Sequence, residues 1–270
     1  MRPDASALVR LELQAGVATL TLNDPERLNA LSQDMLQAAL AALHQVQHDP
    51  DLRVLVLRGA GRAFCAGADL ASLADAQAAP ARIDALMRDG GNPLVLALRA
   101  MPVPVLTVLH GIAAGGGVGL ALAADVVIAG RSAGFMLPFV PALGLVPDMG
   151  AAGAMLRALG EARTAGLALL GDRLEAERAA QWGLIWSCVD DAALDAEAAA
   201  LAARLAALPA HALQELRALL IQVRNNDLAG QLDYERDRQV ALAAGLCFAE
   251  GVQAFLGKRR PDFHGGAGRR

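Results

Sequence analysis

VPVLTVLHGIAAGGGVGLALAADVVIAG, residues Val103 to Gly130, decides how this chain folds. Its first half is a continuous apolar run of the kind buried on both faces of a sheet. A run of small residues follows, then a short apolar helix ending at Asp125, then a second strand, VVIAG. Strand, helix, strand in that order implies parallel pairing with a right-handed crossover. The same grammar occurs upstream, where VLVLRG (Val54 to Gly59) runs into RAFCAGADL (Arg62 to Leu70). Both loops strip away side chains where a strand ends, which lets a ligand approach backbone N–H groups closely. Two such loops can each direct one N–H at the same oxygen, an arrangement suited to an oxygen that becomes negative during a reaction.

Outward from these loops the pattern stays mixed. LVRLELQAGVATLTL (Leu8 to Leu22) alternates and turns at Gln14-Ala15-Gly16, so it reads as a hairpin. Ser32 caps a helix that stops near Asp49-Pro50. Pro80 to Arg99 reads as one amphipathic helix, and IWSCVD supplies a late short strand. From Gly150 onward the chain is otherwise helical, and HGGAGRR (264–270) reads as a frayed tail. The 270 residues fit one large α/β unit with an appendage; 55% are hydrophobic and 3% aromatic, so Ala, Leu and Val must build the core.

Composition excludes several classes. A net charge of −4 gives no reason to expect nucleic acid as a partner. Lys258 is the only lysine, so arginine must contact any phosphate elsewhere. Cys65, Cys188 and Cys247 are too few and too scattered for a disulfide framework or a zinc site; a reducing cytoplasm suits them. Cys65 reads as a small buried residue rather than a nucleophile, since no histidine stands in a dyad context with it. The N-terminus carries no secretory pattern, and prolines and glycines interrupt the uncharged stretch Met101 to Ala124, so no membrane partner is expected. Gly115 to Leu120 does not give G-x-G-x-x-G, which excludes a dinucleotide fold.

Five segments in order resemble the enoyl-CoA hydratase/isomerase (crotonase) superfamily: LNDPERLNALS (Leu22 to Ser32), RAFCAGADL, HGIAAGGGVGLALAADVVIA (His110 to Ala129), FMLPFVPALGLVPDMG (Phe135 to Gly150) and EGVQAFLGKRRPDF (Glu250 to Phe263). The resemblance implies a crotonase-like α/β fold: a ββα spiral core over 1–190 and a helical region over 191–270 serving oligomerisation and active-site cover. It implies a homotrimer or hexamer acting on an acyl-CoA thioester, with no metal and no cofactor beyond the CoA of the substrate. Carried over, Ala68 and Gly116 supply the two N–H donors of an oxyanion hole. The two glutamates of family hydratases are missing, since Gly119 and Phe139 stand at those positions. Asp148, in GLVPDMG, matches the acidic residue that moves a proton in the family's isomerases. Read as a residue alone, it could instead cap the following helix. Arg27, Leu28, Asn29, Ala30, Ala66, Asp69 and Leu70 would line the CoA path. Phe255 and Lys258 would reach CoA from a neighbouring subunit, although Lys258-Arg259-Arg260 also reads as a solvated charge run. Asp69 has a second reading, as a cap that fixes the loop presenting Ala68. Asp125 and His110 read as structural.

The expected reaction is Δ3-Δ2 enoyl-CoA isomerisation through an enolate, with Asp148 as base. Hydration of 2-enoyl-CoA, a related isomerisation in aromatic degradation and acyl-CoA binding without catalysis are the alternatives.

Overall fold

A computed structural model describes residues 8–263; the first seven residues and the tail at 264–270 lie outside the described residues. In chain order the strands are β1 (Val9–Gln14), β2 (Val17–Leu22), β3 (Val54–Gly59), β4 (Val105–Leu109), β5 (Ile112–Ala114), β6 (Val126–Gly130), β7 (Gly134–Met136), β8 (Leu174–Glu175) and β9 (Ser187–Val189). The helices are α1 (Gln33–Val46), α2 (Ala79–Leu86), α3 (Asn92–Ala100), α4 (Gly116–Leu122), α5 (Ala151–Leu159), α6 (Glu161–Leu170), α7 (Ala176–Gln181), α8 (Leu194–Ala206), α9 (Ala210–Gln222), α10 (Leu228–Ala243) and α11 (Leu246–Leu256).

Six strands form one sheet in the order β1-β2-β3-β4-β6-β9, and β5-β7-β8 form a second. Only β1–β2 and β7–β8 are antiparallel. Ala15 and Gly16 both take positive φ, as the two-residue turn between β1 and β2 requires. Leu57 in β3 stands opposite Leu20 in β2 and Thr107 in β4. All five residues of β4 are buried, as expected of a strand covered on both faces. On one side lies α1, whose buried residues Met35, Leu36, Ala39, Leu40, Leu43 and Val46 repeat at helical spacing. Ser32 caps it by accepting from the Met35 N–H. On the other side, Leu194, Ala198, Leu201 and Ala202 of α8 pack on Val54, Val56, Leu106, Val108 and Ile128.

Helix α1 ends at Val46, just short of Asp49-Pro50 as read. Two boundaries differ from the sequence reading. Pro80 to Arg99 is two helices joined by a π-helical turn, Met87–Gly91. The turn buries Gly90 and Gly91, and a Cβ on Gly90 would stand 2.8 Å from Leu36 of α1. Helix α4 stops at Leu122 because Asp125 serves the sheet: its carboxylate accepts from the Val105 N–H at 2.8 Å, and its own N–H donates to Val105. The same carboxylate pairs with Arg217 of α9, which also donates to the Met101 and Val103 carbonyls. This half-buried cluster clamps α9 to the core. Beyond it, Leu228, Val240, Leu246, Phe248 and Phe255 of α10 and α11 point outward.

Candidate active site

The two small-residue loops lie against each other. Cys65 forms a parallel bridge with Ala113, its N–H donating to Ile112 and its carbonyl accepting from Ala114. Three residues on, Ala68 bridges Leu31: the Leu31 N–H donates to Gly67 at 2.7 Å, and the Asp69 N–H donates to Leu31. Backbone groups alternate in direction, so this pairing turns the N–H of Ala68 away from Leu31. Gly67, at φ +85°, makes the contact between loops possible, since a Cβ there would lie 2.7 Å from the Ala114 carbonyl and 3.3 Å from the Gly116 nitrogen. Gly116 opens α4, where the first N–H groups lack an intrahelical acceptor. Among the described residues neither the Ala68 nor the Gly116 N–H donates to a protein acceptor. Both are free to serve an oxygen from outside.

Asp148 comes from the far side of the fold to the same place. A turn closed by the Ala151 N–H donating to the Asp148 carbonyl holds Met149 and Gly150 at positive φ. For Met149 this left-handed conformation costs about 1–2 kcal/mol. The Asp148 Oδ1 is buried without a hydrogen-bond partner, and a Cβ on Gly116 would stand 3.3 Å from it. The Met149 sulfur and Leu31 flank the same spot. Burial pushes the carboxyl up to about 6, only partly offset by a hydrogen bond from its own backbone N–H. One expectation is corrected here. Asp148 does not cap α5, whose N-cap is Gly150 with no side-chain bond. Met149, next to it in sequence, is buried, while Leu145 and Val146 are exposed.

Asp69, the carboxylate on the other side of the loops, is engaged. It accepts from the Ala71 N–H at 3.2 Å, capping the short helical turn Leu70–Leu73, and it meets Arg27 at 3.4 Å. Arg27 also pairs with Asp24 at 2.8 Å. Arg27, Asp69, Ser72, Leu73 and Leu86 line a cleft of about 1140 Å³, which Ala68, Gly116 and Asp148 do not line. Leu70 is half exposed near its rim, and the Ala66 N–H donates to the Leu28 carbonyl. Ala30 is half-buried, its N–H donating to Arg27. Phe255 and Lys258 do not line this cleft. Phe255, 82% exposed, borders a separate apolar groove with Leu242, Phe248, Val252 and Phe263.

Sequence reasoning placed Asn29 along the CoA path, but its side chain is wholly buried. Its amide nitrogen donates to the Ala60, Ala63 and Phe64 carbonyls, and its Oδ1 accepts from the Asp24 N–H. It ties the Arg27 loop to the base of the first small-residue loop. The signal was present: Leu28 and Asn29 both take positive φ, which asparagine tolerates better than most residues. Cys65 is fully buried and its thiol is pushed up to about 12, so it cannot supply a thiolate. His110 is structural as read, its Nε2 bonding the Gly61 carbonyl. Among the described residues no three His, Cys, Asp or Glu side chains gather to hold a metal, and no single helix is long and apolar enough to cross a membrane.

Residues 12–266 match the model of the enoyl-CoA hydratase/isomerase family. The chain belongs to the enoyl-CoA hydratase/isomerase family. It is 44% identical over 254 residues to a 1,2-epoxyphenylacetyl-CoA isomerase of Escherichia coli, covering 94% of this chain and 97% of that one. It is 42% identical over 257 residues to a Rhodobacter capsulatus protein named "Probable enoyl-CoA hydratase", covering 95% and 98%. The enoyl-CoA hydratase structure from Polaromonas superposes with a TM-score of 0.87 at 33% identity, over 94% of this chain and 98% of that chain. The nested sheets and C-terminal helices are thus the crotonase-like fold of this family, and the chain is an enzyme of the acyl-CoA class.

Proposed function

We propose that this enzyme isomerises a CoA thioester through an enolate, most simply converting a 3-enoyl-CoA to the conjugated 2-enoyl-CoA. One observation carries the reading: a carboxylate whose buried Oδ1 has no hydrogen-bond partner stands beside one of two unused N–H groups. The thioester oxygen would sit between the N–H groups of Ala68 and Gly116, where α4 adds the partial positive charge of its N-terminus. Asp148 takes a proton from C2, the two donors hold the dienolate oxygen, and the same carboxylate returns the proton at C4. Charge develops on that oxygen only after deprotonation, so the donors favour the transition state over the bound substrate. An ordinary aspartate, near 3.9, is a weak base for a carbon acid; burial to about 6 narrows that gap.

Hydration needs groups that position and deprotonate water. Asp69 is committed to Ala71 and Arg27, and no residue from Ser132 to Pro147 is ionisable, so Asp148 acts alone. Arg27 and Asp69 would guide CoA along the cleft they line, with Leu28, Ala30, Ala66 and Leu70 contacting it beyond that cleft. Phe255 and Lys258 would reach CoA across a subunit boundary in a homotrimer or hexamer, in the cytoplasm. CoA enters and leaves with the substrate, and the chemistry requires no resident cofactor.

A second reading is isomerisation of a ring-derived epoxide thioester. The 44% identity to an epoxyphenylacetyl-CoA isomerase favours it, and it would use the same three groups. The deciding experiment compares 3-enoyl-, 2-enoyl- and aromatic-derived CoA thioesters with wild type and Asp148→Asn. Fast water addition to crotonyl-CoA would overturn the isomerase reading, and full isomerase activity in Asp148→Asn would remove Asp148 as base. Binding without turnover of any thioester would mark a non-catalytic acyl-CoA-binding protein.

A further inference from the structure

Three glycines from two different elements make room for one side chain. A Cβ on Gly116 would stand 2.8 Å from the Met149 sulfur. One on Gly91, in the π-helical turn, would stand 3.4 Å from the same sulfur and from Met149 Cγ. One on Gly119, the next turn of α4, would stand 2.8 Å from Met149 Cβ and 2.5 Å from its carbonyl oxygen. Met149 is 6% exposed, so it is held between α4 and the π turn. Its backbone sits at φ +48°, beside Gly150 at φ +80°, in a turn that glycine or asparagine would fill without strain. A methionine kept in a glycine-favouring conformation needs a reason in its side chain.

That reason lies one residue away. The Asp148 Oδ1 has no hydrogen-bond partner to fix its direction. What fixes it is the turn, and what fixes the turn is the anchored Met149. We infer that Met149 is the positioning residue of the proposed base: packed against Gly116 and Gly91, it holds the Asp148 carboxylate beside the start of α4 and keeps water from it. This inference rests on the reading of Asp148 as base. It adds that the geometry of proton transfer depends on a side chain that never touches the reacting atoms.

The test is Met149→Gly, with Met149→Leu and Asp148→Asn beside it. Glycine suits the backbone of this turn, so the variant loses the wedge while the turn keeps a permitted conformation. With a 3-enoyl-CoA substrate, kcat should fall by up to about 100-fold, the loss that goes with misplacing a reacting group by ~1 Å. KM should hold, and the acidic limb of the pH–rate profile should move down towards an ordinary carboxylate as water reaches Asp148. Met149→Leu, close in volume, should restore most of kcat and the original limb. Wild-type kcat and an unmoved acidic limb in folded Met149→Gly, with Asp148→Asn inactive, would overturn Met149 as positioner and leave Asp148 as base. An active Asp148→Asn would remove the base itself, and with it this role for Met149.

Discussion

Asp69 and Asp148 flank the same pair of unused N–H groups in opposite surroundings. Asp69 stands at the edge of an open cleft, bonded to a backbone N–H and facing an arginine. Asp148 is enclosed by a methionine and a leucine, with one oxygen bonded to nothing. The first arrangement holds its carboxylate in place through direct bonds. The second raises the cost of the charge, so the group is poised to accept a proton. Two residues of the same type are sorted into a structural part and a chemical part by the hydrogen bonds each environment offers.

The strongest way to break this contrast is to neutralise each in turn. Asp148→Asn should lower kcat for a 3-enoyl-CoA by about 10²–10⁴-fold, the usual worth of a positioned acid–base group. Activity of the wild type should rise with pH through about 6, since the base must be ionised to act. Next in size is Gly67→Ala, which forces a side chain onto the Ala114 carbonyl at positive φ. A loss of roughly 1–3 kcal/mol in denaturant unfolding is expected, together with lower activity because the two loops are pushed apart.

Asp148→Asn sharpens the comparison in a second way. The folded carboxyl titrates above the unfolded one, so its contribution to stability is fully present below about pH 4 and is lost as pH rises through about 6. The neutral variant should therefore be more stable than wild type by roughly 1–3 kcal/mol at pH 8, with no gain at pH 4, as read by thermal unfolding at both values. Asp69→Ala should do the reverse, costing about 0.5–2 kcal/mol through the lost cap. Its activity loss should fall mainly on KM, because Arg27 and the cleft wall lose their anchor. The smallest effect is expected from Cys65→Ala, which should leave kcat unchanged; a large drop would revive the thiol as a reacting group.

The N-terminal hairpin, the parallel pairing and the helix cap at Ser32 could be read from local pattern, because apolar runs, small-residue loops and turn residues act over a few positions. Asn29 was misread because its three carbonyl partners lie about thirty residues downstream. The π turn was hidden because nothing in Met87 to Gly91 announces an extra residue per turn; only the fold shows Gly90 packed closely on Leu36.

By itself the sequence determined the strands of the larger sheet, the two stripped loops and the single acidic residue in GLVPDMG, since each depends on residue type and short-range spacing; the small second sheet β5-β7-β8 it did not show. The tertiary structure decided which carboxylate is free. Gly116 and Asp148 are brought together only when α4 and the turn before α5 pack around Met149, and desolvation is a property of that packing. Charge in a protein is governed by what surrounds it in space, and sequence order does not record that.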